Sequence, residues 1–513
     1  MKGLHLASSR IDGSISGDDL VAYLEWTVEF RNSGTVAREA RLQLALPPGG
    51  VVSRATLWVN GEEREAAYGG RGEVRAAYQR VAVQQRLDPL LVTTKGADRV
   101  LAQAFPVPPN GGTIKFKIGI SAPLELTGPT SARLTLPALV DRNFSFASSA
   151  PHGMWIESRQ ALAASTPGLT ASRVNDRLFR IAGALGDHDL SRTRPAITVA
   201  RGPDAAIRTA RIGAGELVLQ EITRNPPPAM SALMLVIDGS ARLADTPEAL
   251  IAALDAVPAN TKVGAIIATE PLRKVSLAPW SDAQKQAVVQ LLRSASFAGG
   301  QDNAPALAEA MQMLETDPQA TLLWVHGPQP VSFRSGAARL EQAAARLSRL
   351  PDVVLYSVVP GPNELLPDAP WAWAARSLPQ TGSLRADLAE FLAGRTRAIR
   401  RVQAEEADVG ALGSEHIARL WASERVLDLM RANPTGNRAA ALALATRYRL
   451  VTPVSGAVVL ETQRQYDESQ LAPVSNATVP TIPEPHEWAL ALLACAALLW
   501  FAWRNRQRLA AAA

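Results

Sequence analysis

The feature that most constrains this chain is a change of rhythm at Asn225-Pro226-Pro227-Pro228. Before it, apolar and polar residues alternate. Leu24, Trp26, Val28 and Phe30 interleave with Glu25, Thr27 and Glu29, and Leu42, Leu44 and Leu46 repeat the pattern. A period of two marks strands with one buried face. After the prolines, Leu233-Met234-Leu235-Val236-Ile237 is apolar throughout, as a parallel strand covered on both faces requires. The chain must therefore hold an all-β part and an α/β part, and the stiff proline run reads as the boundary between them.

Within the first part, Leu57 and Val59 lead into Asn60-Gly61, a dipeptide that favours a tight hairpin. Ile114, Phe116, Ile118 and Ile120 alternate with lysines, while Val74, Ala77, Tyr78 and Val81 have helical spacing, so one short helix interrupts the strands. Residues 130–222 continue weakly β-like. In the second part, Val263–Ala268, Thr321–Val325 and Val353–Val359 read as further strands, with helices between them. Thr246-Pro247-Glu248 reads as a helix start, and Ser281 with Gln284 as a capping box. Strands alternating with helices imply right-handed crossovers and a doubly wound sheet. Residues 384–431 read as helical, with Ile417, Leu420, Trp421, Leu427 and Met430 on one face, and Gly456–Glu461 as a strand.

Three stretches of the first part resemble the VIT (vault protein, inter-alpha-trypsin inhibitor heavy chain) domain. They are Ala76-Ala77-Tyr78, Asp88-Pro89-Leu90-Leu91 and Phe105-Pro106-Val107-Pro108-Pro109-Asn110-Gly111, in the family's order. The resemblance implies a β-rich, non-enzymatic module over residues 1–125, followed by a β-rich extension over 126–225.

Residues 229–395 are similar to a von Willebrand factor A domain, a fold whose ligands bind at the carboxyl ends of the strands. The family's Asp-x-Ser-x-Ser motif stands here as Asp238-Gly239-Ser240-Ala241-Arg242. Its Gly-Gly-Thr-Asp loop stands as Gly299-Gly300-Gln301-Asp302, and its Thr-Asp-Gly turn as Val325-His326-Gly327. Asp238 and Ser240 are thus the candidate metal ligands of a degenerate adhesion site. Arg242 and His326 put a cation and an imidazole where oxygens belong, which disfavours Mg²⁺. No cofactor is expected, and an Arg242–Asp238 ion pair is expected in the cation's place. Tyr448–Ser455 resembles the stretch that follows the A domain in bacterial VIT proteins, so residues 396–465 are expected to pack on the body and 466–483 to form a linker.

The tail over 484–509 resembles a PEP-CTERM sorting signal. It has Pro483, Glu484 and Pro485, an uncharged run from Trp488 to Trp503, then Arg504, Arg506 and Arg508. As a helix the 16-residue run 488–503 spans roughly 24 Å, the short edge of what crosses a bilayer. The arginines place the C-terminus in the cytoplasm by the positive-inside rule, with the body outside. The resemblance implies membrane and an exosortase-type processing protease as partners, with release or surface attachment after cleavage; a plain anchor is the alternative. Export is expected, yet Met1-Lys2-Gly3-Leu4 opens without an apolar signal segment.

Composition removes several function classes. One cysteine, Cys495, excludes a disulfide framework and multi-cysteine zinc sites. The net charge of +5 comes from 53 basic and 48 acidic residues that are interspersed, so no nucleic-acid partner is expected. Asp187-His188-Asp189 has metal-ligand residue types but reads as turn chemistry, and His5, His152 and His416 read as isolated. The expectation is a non-enzymatic envelope or surface protein that binds a protein or extracellular matrix ligand through loops near 238–246, 297–304 and 326–336. An uncleaved envelope assembly factor is the alternative, and a hydrolase the weakest reading.

Overall fold

The structure is a computed structural model. It describes residues 3–472 apart from 86–88, 147–150, 193–194, 203–206, 213–215, 224–229, 318, 348, 367–369, 379, 381–382, 394–397, 405–410 and 434. The proline boundary at 226–228, Asp88, the sorting motif Pro483–Pro485, the helix 488–503 and Arg504, Arg506 and Arg508 lie outside the described residues. Among the described residues, no helix is long and apolar enough to cross a membrane.

The alternating segments form two sheets that share one core. In the first sheet, Val21–Asn32 lies between Leu4–Ser16 and Gly112–Pro123, antiparallel to both. Val51–Val59 pairs with Gly112–Pro123 and turns back into Glu62–Glu65. Asn60 and Gly61 make that turn with φ of 53° and 84°, the positive values that a two-residue hairpin demands. The second sheet runs in the order Ala138–Arg142, Arg38–Ala45, Arg99–Val107, Leu90–Thr94, Ser455–Val459, Ala67–Gly70. Leu24, Trp26, Phe30 and Phe116 of the first sheet and Leu42, Leu44, Val100 and Ala102 of the second are buried in one cluster. The expected helix forms over Arg71–Gln79 and buries Val74, Ala77 and Tyr78.

The α/β part has the sheet order Arg273–Pro279, Lys262–Ala268, Ala232–Asp238, Ala320–His326, Asp352–Ser357, Ala375–Ser377. All neighbours are parallel except the edge strand Arg273–Pro279, which is antiparallel. Its strands bury side chains on both faces. One face packs on helices Ala304–Met313 and Arg334–Arg346. The other packs on Pro247–Ala253, Asp282–Arg293 and Leu384–Leu392. The sheet is doubly wound.

Several local expectations need correction. Thr246 precedes Pro247 but does not cap; its hydroxyl donates back to the Leu243 carbonyl at 2.6 Å. Ser281 accepts from the Gln284 N–H, yet the Gln284 amide turns to the carbonyls of Val263 and Ser276, so only half of the capping box forms. Residues 384–431 are not all helix: Ala398–Ala404 is a strand, paired from Thr223↔Ala398 to Leu217↔Ala404. Seven cross-strand pairs, with Arg401 held by Gln220 at 2.8 Å, override local helix propensity. Nor are residues 466–472 a linker. Helix Gln463–Glu468 follows the strand Ser455–Val459, and Tyr466 and Leu471 are buried beside Val74 and Tyr78.

Candidate ligand-binding cleft

Three loops meet where the parallel strands Ala232–Asp238 and Ala320–His326 end. Asp238 is the last residue of its strand and fully buried. Gly239 follows because the chain passes the Ala268 carbonyl too closely for a side chain; a Cβ there would lie 2.4 Å from that oxygen. The first loop then closes on the second, with Ala241 N–H donating to Gly299 O and Gln301 N–H to Ser240 Oγ, both at 3.0 Å.

The Asp238 carboxylate accepts from five neutral donors. Ser240 gives its N–H at 3.0 Å and its hydroxyl to Oδ1, and the Asn303 side chain adds a third donor to Oδ1 at 3.2 Å. Gly327 N–H and the Gln329 side chain reach Oδ2 at 3.1 and 3.3 Å. Asn303 is itself fixed: Trp324 Nε1 donates to its Oδ1 at 2.9 Å, and its N–H donates to Gln329 Oε1 at 3.2 Å.

Of the residues singled out in sequence, Asp238 and Ser240 meet at this point. Arg242 does not join them: it is exposed, and the expected Arg242–Asp238 ion pair is replaced by the neutral donors above. His326 turns the other way. Its Nδ1 donates to the Gly327 carbonyl at 2.8 Å and its ring lies against Trp324. Asp302 accepts from Ala304 N–H at the start of the next helix. Asn303 and Gln329, the two carboxamides that complete the cluster, went unrecognised in the sequence. They act across 65 and 91 residues, a separation no local pattern encodes. An asparagine directly before a helix was the one available signal.

This donor set does not fit Mg²⁺. The ion needs near-octahedral oxygen ligands, whereas Asp238 is saturated and the hydroxyl of Ser240 is engaged as donor and acceptor. Above the cluster opens a cleft of about 500 Å³, lined by Ser240, Arg242, Gly299, Gly300, Pro328, Pro330 and, from the β-sandwich, Leu139–Arg142. In the third loop, just after Pro330 of this lining, Val331 and Phe333 are 55% and 56% exposed.

A clamp fixes this module to the sandwich. Lys95 Nζ lies 2.8 Å from Glu364, the Arg99 guanidinium donates to the Gly361 carbonyl, and Asp98 accepts from Ser377 N–H at 3.2 Å. Gln329 N–H donates to Pro362 O and Glu364 N–H to Gln329 O, both at 2.8 Å. The loop clamped by the sandwich is therefore the loop that supports the Asp238 cluster.

The other candidates resolve into structural roles. His188 is exposed, Asp187 pairs with Arg142, and Asp189 accepts from Gly186 N–H at 3.0 Å, all around a six-residue helix Asp187–Arg192. Among the described residues, no group of three His, Cys, Asp or Glu side chains could hold a metal ion. His152 and His416 are not isolated. His152 Nδ1 shares a hydrogen bond with Ser9 Oγ at 2.7 Å, its ring stacks on Phe146, and Nε2 lies 4.0 Å from Asp187. Ser9 also accepts from Trp26 Nε1 at 2.9 Å and is buried, so this Ser–His–Asp contact is a core network rather than a nucleophile. His416 Nδ1 meets Ser121 Oγ at 2.7 Å and its ring stacks on Tyr23.

Residues 6–120 match the vault protein inter-alpha-trypsin (VIT) domain family. The N-terminal sandwich is built around a VIT domain. Among solved structures, the chain is similar to a von Willebrand factor type A protein from Catenulispora acidiphila, at 16% identity and a TM-score of 0.28, over 36% of this chain and 46% of that one. It is also similar to the SpRpn10 VWA domain, at 13% identity and a TM-score of 0.25, over 33% of this chain and 100% of that one. A third is the pilus adhesin SpaC from Lactobacillus rhamnosus GG, at 13% identity and a TM-score of 0.25, over 37% of this chain and 33% of that one. The chain thus spans less than half the length of the first of these. No curated protein matches it. The α/β reading itself rests on the strand order and register described above.

Proposed function

We propose that this chain is a non-enzymatic protein of the cell envelope or surface that binds a protein or matrix ligand through its von Willebrand A-like cleft. The VIT sandwich is the platform in this reading, and the C-terminal tail anchors or sorts the molecule. The observation that carries it is the convergence of the three loops near 238–246, 297–304 and 326–336 on one cleft, the third of which also exposes Val331 and Phe333. Exposed aromatic and aliphatic residues on a loop that lines a preformed concavity are what a protein partner would bury. Replacing both (Val331→Ser with Phe333→Ser) should weaken adhesion to immobilised matrix proteins or cell surfaces at least tenfold, with an unchanged melting temperature. Adhesion equal to that of the parent would remove the cleft from the reading. For the tail, the mature C-terminus measured by mass spectrometry separates a processed surface protein, cut near Pro483–Pro485, from an uncleaved envelope assembly factor that keeps Ala513.

A further inference from the structure

Asp238 stands where the von Willebrand A resemblance places a ligand of a divalent cation, yet the groups around it are donors, not acceptors. Five hydrogen bonds converge on its two oxygens, from Ser240 twice, Asn303, Gly327 and Gln329. A carboxylate offers about four lone-pair sites, so none is left for a metal. The nearby Asp302 turns to the start of the next helix, where its Oδ1 accepts from Ala304 N–H at 3.0 Å.

We infer that the side-chain amides of Asn303 and Gln329 replace the cation: they satisfy the buried Asp238 carboxylate with hydrogen bonds and tie the three loops together without metal. The physics requires such a substitute. A buried carboxylate without counter-charge is stable only when several donors satisfy it. Asn303 serves the second loop and Gln329 the third, while Ser240 belongs to the first, so one carboxylate joins all three. Gln329 is further fixed by its backbone bonds to Pro362 and Glu364. The ligand-facing loops are therefore permanently set, and their geometry does not depend on the supply of Mg²⁺. This holds whatever ligand the cleft takes.

The test uses the full chain, stripped with EDTA, and Mn²⁺ as the probe. The parent protein should show no saturable Mn²⁺ signal by electron paramagnetic resonance and no shift of melting temperature with Mg²⁺, Mn²⁺ or EDTA. Gln329→Glu sets a second carboxylate beside Asp238, where the amide nitrogen now lies 3.3 Å away. It should lower the melting temperature without metal, gain a saturable Mn²⁺ site and recover stability when Mn²⁺ is added. Adding Asp238→Asn should abolish that site. Saturable Mn²⁺ binding by the parent that Asp238→Asn removes would overturn the inference, as would a metal-free Gln329→Glu as stable as the parent. Hydrogen exchange of the parent supplies a readout that needs no variant. Protection over 298–303 and 327–330 should be equal with Mg²⁺ and with EDTA, and protection gained with Mg²⁺ would sink the idea.

Discussion

Two histidines link single residues to the stability of the whole body. His152 is held down to about 4, chiefly by burial and secondarily by Arg142, although Asp187 acts the other way. His416 is held down to about 3 by burial and by Arg419, with Tyr23 stacked on it and Ser121 bonded to it. An unfolded histidine titrates near ~6.5. Below that pH the unfolded chain takes up protons that the folded chain refuses, so stability is complete above it and falls as pH drops towards the folded values. From pH 7 to about 4.5 the parent should lose roughly 2–3 kcal/mol per histidine, at about 1.4 kcal/mol per pH unit. The double variant His152→Asn, His416→Asn should lose correspondingly less in urea titrations at the two pH values; equal slopes would mean that neither group is held neutral. Sequence showed these residues only as scattered histidines. Their partners Ser9, Asp187 and Ser121 lie 143, 35 and 295 positions away, separations that only the folded sheets bring together.

The most consequential element is the strand Ser455–Val459. It was legible as a strand, since Gly456–Glu461 reads as a short apolar run. Its location was not. It lies inside the second sheet of the VIT sandwich, antiparallel both to Ala67–Gly70 and to Leu90–Thr94. Arg71 N–H donates to Val454 O at 3.0 Å, and the Tyr466 hydroxyl reaches the Glu65 carbonyl at 3.3 Å. A segment more than 330 residues beyond the family match at 6–120 thus fills an interior sheet position, between Leu90–Thr94 and the edge strand Ala67–Gly70, because open edges on both sides leave unpaired backbone groups. Gly456 permits the fit: a Cβ there would lie 2.6 Å from Val74 Cγ2 and 3.2 Å from Thr93 Cγ2. Gly456→Val should cost about 1–3 kcal/mol by overpacking, measured by chemical denaturation. A chain ending at Val454 should lose cooperative unfolding of the sandwich altogether.

At the scale of the molecule, the α/β module is an insertion in a discontinuous VIT-based body. The chain enters it from Leu217–Thr223 and leaves it through Ala398–Ala404, and those strands pair in register. The ends Thr223 and Ala398 face each other, so a tight turn could join them. A protein with residues 224–397 replaced by such a turn should therefore fold cooperatively, whereas residues 1–223 alone should not. Circular dichroism melts of both proteins check this, and a cooperative transition in the shorter one would refute the insertion. By itself, the sequence determined the fold class of its two parts and their main strands, because period-two and continuous apolar patterns dictate which faces must be buried whatever the partner. It also located Asp238 and Ser240 at a strand end. Only the tertiary structure decided that Ser455–Val459 closes the N-terminal sandwich, that Asn303 and Gln329 saturate Asp238, and that Arg242 stays in solvent. Hydrogen bonds and sheet register are set by neighbours in space, and in this chain the deciding neighbours lie tens to hundreds of residues apart.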